Sequence, residues 1–145
     1  MNNRFVFLDF DGCVVISNPE LVFVNILKEN VYTLCSLYRA KLVLSTSWRF
    51  SKTVEEWNII FNGLVVGITP LYVPADTIGT DCYIIETDYQ RGLEIRQFLD
   101  QTDYESYLII DDNDEFLPEQ QCRFIKCDSN KGFDAERLSF AVGLV

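Results

Sequence analysis

Arg4-Phe5-Val6-Phe7-Leu8-Asp9-Phe10-Asp11-Gly12 decides the fold of this 145-residue chain. An apolar run that breaks abruptly into Asp-Phe-Asp-Gly reads as a buried strand opening into a turn. The same punctuation recurs twice. Lys41-Leu42-Val43-Leu44 runs into Ser45-Thr46-Ser47, and Tyr107-Leu108-Ile109-Ile110 runs into Asp111-Asp112-Asn113-Asp114. Each of these strands is apolar to its last residue and then turns acidic or hydroxylic.

Helical patterns fill the intervals. Asn18-Pro19 offers a cap and a first-turn proline. Leu21, Val24, Leu27, Val31, Leu34 and Leu37 then follow at spacings of three and four, which predicts one helix face turned to the core. Thr53-x-x-Glu56 forms a capping box for a helix carrying Trp57, Ile60 and Phe61, stopped by Asn62-Gly63. Residues 64–69 read as a third strand. Residues 71–89 are irregular, with a short extra strand conceivable at 82–85. A helix is expected over 91–99, with Leu93, Ile95 or Arg96, and Phe98-Leu99 toward the core. A further strand is expected at 122–125, and a last helix runs from an Asp134 cap through 142. Strands alternating with helices along the whole chain predict a central parallel sheet with helices on both faces. Neither repeats nor linkers interrupt the pattern, so residues 1–145 are expected to form one domain.

Composition narrows the chemistry. Apolar residues are 48% and charged residues 23% of the chain, with a mean hydropathy of +0.06, the balance of a globular domain. The longest apolar runs are too short to cross a bilayer. The first strand meets Asp9 and Asp11 too soon for a signal peptide, so a soluble, cytoplasmic protein is expected. The net charge of −10 gives no basic footprint for nucleic acid and counts against tight backbone binding. The chain has no histidine, which removes every Ser-His-Asp or Cys-His mechanism and leaves acid–base work to carboxylates, Lys, Tyr or Cys. Five cysteines without a CxxC pair (Cys13, Cys35, Cys82, Cys122, Cys127) read as reduced thiols rather than a zinc site.

In an open α/β sheet, ligands bind outside the carboxyl ends of the strands. Asp9, Asp11, Asp111, Asp112 and the Ser45-Thr46-Ser47 hydroxyls should therefore converge on one crevice. Carboxylates gathered so closely repel one another unless a cation sits among them. An oxygen-only ligand set selects a hard ion, and magnesium is expected. Magnesium with carboxylates points to phosphate chemistry, with one carboxylate attacking phosphorus and another moving the proton. Arg49, four residues past Ser45, can grip a phosphate bidentately; its competing reading is an arginine paired with a local acid. Trp48 can stack on a substrate ring or belong to the core.

These residues resemble the haloacid dehalogenase (HAD) superfamily. Phe7-Leu8-Asp9-Phe10-Asp11-Gly12 is similar to its first motif, Leu42-Val43-Leu44-Ser45-Thr46 to the second, and Ile109-Ile110-Asp111-Asp112 to the fourth. Ser45-Thr46-Ser47-Trp48-Arg49, Arg91-Gly92-x-Glu94-Ile95 and Asp111-Asp112-Asn113-Asp114 resemble, more narrowly, a small HAD subfamily found alone and within RNA-repair proteins. The resemblance implies a Rossmann-like three-layer sandwich. It also implies Asp9 as nucleophile and metal ligand, and Asp11 as acid/base whose carbonyl also faces magnesium. Ser45, or else Thr46, would hold a phosphoryl oxygen. Asp112, with Asp111 close behind, would bind the metal directly, and Asp114 or Glu115 would support its waters. Gly12, Thr46 and Arg49 are expected beside the substrate. The family's third-motif lysine is replaced by Arg91, which keeps a fixed positive charge in a different geometry.

Too few residues separate the motifs to fold a large cap domain; at most 71–89 forms a small flap. An open site favours an exposed phosphate on a nucleic-acid end, a nucleotide or a phosphoprotein. The implied activity is a magnesium-dependent phosphomonoesterase. The competing reading is a binding module that keeps the fold without turnover.

Overall fold

The computed structural model describes residues 3–16, 22–73 and 88–145. Five strands, β1 (Arg4–Leu8), β2 (Lys41–Leu44), β3 (Val65–Ile68), β4 (Ser106–Asp111) and β5 (Phe124–Lys126), form one sheet in the order β3-β2-β1-β4-β5. All neighbouring pairs are parallel. Helices α1 (Asn25–Tyr38), α2 (Val54–Ile60), α3 (Gln90–Asp100) and α4 (Ala135–Val142) complete the expected alternation. This is the Rossmann-like α/β architecture expected above, and the described residues include no cap domain.

The period-2 alternation of β1 sorts the core into two layers. Val6 and Leu8 face the side covered by α1, α2 and α4, with Leu34, Trp57 and Ala141 among its buried residues. Phe5 and Phe7 face the other side, where Ile95 and Leu99 of α3 pack with Phe116. Both faces of the central strand are therefore buried, which is why β1 is an unbroken apolar run.

Local signals act largely as the sequence predicts. Thr53 Oγ1 accepts from Glu56 N at 3.1 Å and Glu56 Oε1 accepts from Thr53 N at 3.0 Å, the reciprocal bonds of a capping box. Asp134 caps α4 by accepting from Arg137 N at 3.0 Å.

Three expectations need correction. Helix α1 begins at Asn25 with Val24 as its uncapped flank, well after the predicted start. Val24 N bonds instead to Val14 O at 2.8 Å, which ties residues 22–24 to the loop after β1. The Asn18 cap, Pro19 and Leu21 lie outside the described residues, as does the strand considered at 82–85. Leu37 is exposed, because the buried face steps from Leu34 to Tyr38. Tyr38 takes that place by anchoring its hydroxyl to Ser106. Strand β5 starts two residues later than predicted because Pro118–Arg123 forms a 3-10 turn.

Candidate active site

The carboxyl edge of the sheet builds the site. Asp9 N donates to Ile110 O at 3.0 Å and Ser45 N donates to Leu8 O at 3.1 Å. The ladder thus continues one residue past β1 and β2, and it fixes Asp9 beside β4 and Ser45 beside β1. Phe10, between the two aspartates, is fully buried. Its ring lies 5.1 Å from those of Phe23 and Trp57 and 5.5 Å from that of Phe61. Anchoring Phe10 in this aromatic nest fixes the segment that carries Asp9 and Asp11.

Carboxylate oxygens of Asp9, Asp111 and Asp112 can all lie within 4.8 Å of one another. Gly12 makes room for this approach. It has φ +79°, and a Cβ there would meet Asp112 Oδ2 at 2.3 Å. Neither the backbone angle nor the space tolerates a side chain.

Arg91 supplies the countercharge. Its Nη1 lies 2.7 Å from Asp9 Oδ1 and 2.9 Å from Asp111 Oδ2, while its Nε is 3.7 Å from Glu115 Oε2. Gly92 is what lets this helix end approach. Gly92 N donates to Glu115 O at 3.0 Å, Gln120 Nε2 donates to Gly92 O at 2.9 Å, and a Cβ would sit 2.5 Å from Gln120 Oε1. Burial works against the Arg91 charge, but Asp111 and Asp9 outweigh it and hold the guanidinium firmly protonated. Burial pushes the Asp9 carboxyl above its ordinary range while Arg91 pulls it down. Burial, followed by the charge of Asp9, pushes the Asp111 carboxyl well up. One arginine therefore leaves this acidic cluster short of positive charge.

Two buried polar atoms, Asp11 Oδ1 and Ser45 Oγ, have no hydrogen-bond partner among the described residues. An orphaned buried polar atom costs about 1–3 kcal/mol unless something satisfies it. Asp11 Oδ2, by contrast, accepts from Trp48 Nε1 at 3.1 Å. Thr46 is occupied: its Oγ1 accepts from Trp48 N at 3.2 Å, capping the 3-10 turn Ser47–Ser51.

Arg49 departs from expectation. It is 4% exposed, and its guanidinium donates to Thr69 O at 2.8 Å, Thr46 O at 2.9 Å and Pro70 O at 3.2 Å. Nη2 also pairs with buried Glu94 Oε2 at 3.1 Å. Every guanidinium nitrogen is thus engaged by the protein, and Arg49 offers no open fork to a phosphate. It pins the loop after β2 onto α3, the paired-arginine reading in a buried form.

Glu94 and Trp48 are the residues whose roles sequence reasoning missed. The signal for Glu94 was its place in the Arg91-Gly92-x-Glu94 segment, one turn from Arg91. Trp48, expected to stack on substrate or sit in the core, is partly buried and also holds the Asp11 carboxylate. Asp114 Oδ1 accepts from Gln121 Nε2 at 2.8 Å. Of the cysteines described, Cys13, Cys35 and Cys127 are buried and Cys122 is exposed. Burial pushes the Cys35 thiol up to about 12.

Over residues 5–138 the chain matches the family described as the HAD domain in Swiss Army Knife RNA repair proteins, and it belongs to that family. No curated protein and no solved structure gives a significant match. Among the described residues no helix is long and apolar enough to cross a membrane.

Proposed function

We propose that this HAD domain is a magnesium-dependent phosphomonoesterase with Asp9 as its nucleophile. The observation that carries the reading is the pairing of an Arg91-held Asp9 with two buried, unpartnered oxygens, Asp11 Oδ1 and Ser45 Oγ. A phosphate ester and its leaving oxygen supply what those atoms lack: a donor or acceptor for each.

The oxygen-only set of Asp9, Asp111 and Asp112 fits a hard divalent cation, and its deficit of positive charge supports one. Bound there, magnesium would neutralise phosphoryl oxygens as charge builds on them. The chain's own residues would do the rest. Asp9 attacks phosphorus as the bond to the leaving oxygen breaks, and that oxygen takes a proton from Asp11. Water then attacks the phosphorus of the aspartyl-phosphate and gives its proton to Asp11, which frees Asp9 and inorganic phosphate. Trp48 holds Asp11 in position through both steps. Ser45 donates its hydroxyl hydrogen to a phosphoryl oxygen, a role favoured over Thr46 because Ser45 Oγ is buried with no partner among the described residues, whereas Thr46 Oγ1 is directed at Trp48 N. Arg91 serves in place of the lysine of the third motif.

Membership in a family of RNA-repair domains and the described residues' lack of a cap support a phosphorylated nucleic-acid end as substrate. The test is phosphate release, with and without magnesium, from 3′- and 5′-phosphorylated oligonucleotides, nucleotides, phosphopeptides and para-nitrophenyl phosphate. Release should require magnesium, should be greatest with an oligonucleotide end, and should vanish in Asp9→Asn. Release undiminished in Asp9→Asn contradicts the mechanism. A preference for phosphopeptides contradicts the substrate class.

A further inference from the structure

A cavity of about 270 Å³ adjoins the catalytic cluster, with Ser47, Phe50, Leu71, Arg91 and Glu115 in its walls. Arg91 belongs to both: the guanidinium that lines the cavity is the one 2.7 Å from Asp9. Whatever leads away from a phosphate on Asp9 has this space beside it. The volume is just under the roughly 300 Å³ at which pockets for drug-sized ligands begin, which suits a single flat ring system.

Phe50 is the unusual wall. It is 56% exposed, so much of its ring remains open to a ligand in the cavity. The Arg49 guanidinium carbon lies 4.4 Å from the centre of its ring. Arg49 is itself fixed by three backbone carbonyls and Glu94, so Phe50 rests on a rigid cationic plate. With Arg49 at one face, the ring is held ready to receive another flat group. Leu71, 46% exposed, adds apolar surface in the same cavity.

We infer that the Phe50 ring is a stacking platform for the nucleobase nearest the scissile phosphate. The inference rests on the phosphatase reading of the same crevice and extends it to base recognition. It also accounts for the charge problem. A chain of net charge −10 gains little from the phosphate backbone, whereas stacking on an aromatic face uses the base itself rather than a countercharge. Of the twelve basic residues, Arg49 and Arg91 line this cavity, and both are already paired with carboxylates.

The experiment is equilibrium binding to the Asp9→Asn chain in magnesium. Its ligands are a terminally phosphorylated trinucleotide and the same molecule with the terminal base removed, with the phosphate tested at each end. The base should tighten binding about tenfold, within the range for one stacked base. Adding Phe50→Ala should abolish that difference, and Phe50→Trp should keep it. The advantage of the base should persist between low and moderate salt. Equal binding with and without the base, or a preference that survives Phe50→Ala, overturns the platform. Binding is read in Asp9→Asn without turnover, so base-dependent binding there, with no phosphate released by the unsubstituted chain, contradicts the phosphatase reading alone. Equal binding of both ligands to Asp9→Asn, with phosphate released from both by the unsubstituted chain, contradicts the platform alone.

Discussion

The indole N–H of Trp48 donates to Asp11 Oδ2 across 3.1 Å, joining residues 37 positions apart in the chain. Trp48 N meanwhile bonds to Thr46 Oγ1, so the loop after β2 reaches over the loop after β1 and fixes its second aspartate. The other oxygen of that carboxylate remains buried and unpartnered. Asp11 is thus clamped at one oxygen and available at the other.

Replacing the indole tests the clamp. Trp48→Phe keeps an aromatic ring and removes the donor. Alkyl phosphates, whose leaving oxygen needs a proton, should lose about tenfold in kcat, part of the roughly 10²–10⁴-fold that a positioned acid supplies. Para-nitrophenyl phosphate, whose leaving group departs without one, should lose much less in its first chemical step. Equal losses on both substrates would mean that Trp48 does not act through Asp11.

Arg91 should matter through its charge first and its shape second. Arg91→Ala removes the partner of both Asp9 and Asp111 and should lower kcat about 10²–10³-fold, the scale for losing one electrostatic stabiliser. Arg91→Lys restores the charge without the planar fork and should recover part of that loss. Steady-state kinetics of the two variants decide it; an unaffected Arg91→Ala would show that the cation plays no part in turnover.

Arg49 should behave as a structural residue. Arg49→Ala strands a buried Glu94 carboxylate, and removing one partner of a buried pair costs about 3–5 kcal/mol. Thermal unfolding should register that loss. The double variant Arg49→Met, Glu94→Leu should recover part of the stability, because it leaves no buried charge alone while the carbonyls of Thr46, Thr69 and Pro70 still lose their donor. Full stability in Arg49→Ala would show that its bonds to the carbonyls and to Glu94 do not hold this loop in place.

The acidic cluster predicts how stability changes with pH. Asp9 and Asp111 titrate higher in the folded chain than in the unfolded one. Above the ordinary carboxylate range the native state therefore holds more protons, and metal-free stability falls as pH rises through that window. The loss is complete only once the pH has passed the folded-state pKa of both groups. Magnesium binds the deprotonated oxygens, so it should stabilise more at neutral pH than at mildly acidic pH. At a hundred times its Kd the gain is about 2.7 kcal/mol. Calorimetry at the two pH values is the check, and a gain that is larger in acid contradicts the assignment.

Much of this was legible because the signals were local. Each strand that carries the site announces itself by an apolar run and an abrupt polar end, as at Leu8-Asp9 and Leu44-Ser45. The bonds of Thr53 with Glu56 and of Asp134 with Arg137 lie within one helical turn, so the cap residues alone revealed them. The convergence of Asp9, Asp111 and Asp112 followed from the rule for parallel sheets. What escaped depended on partners distant in sequence. Nothing around Arg49 showed that Glu94 and the carbonyls of Thr69 and Pro70 would enclose it. Helix α1 starts late because Val24 bonds to Val14, and a periodicity argument has no access to that competition. Leu37 and Tyr38 are both apolar enough for a core face, and contact with Ser106 on β4 selects the second.

The central claim is that Asp9 carries the phosphoryl group. Asp11→Asn removes the base for the second step and leaves the first step to a substrate that needs no proton. Para-nitrophenyl phosphate and magnesium should then give a burst of about one nitrophenolate per chain, as accumulating acyl-phosphate requires. Rapid quenching and peptide mass analysis should find one added phosphoryl group, on the peptide containing Asp9. Nitrophenolate released without any covalent adduct, or an adduct on another residue, would contradict the account.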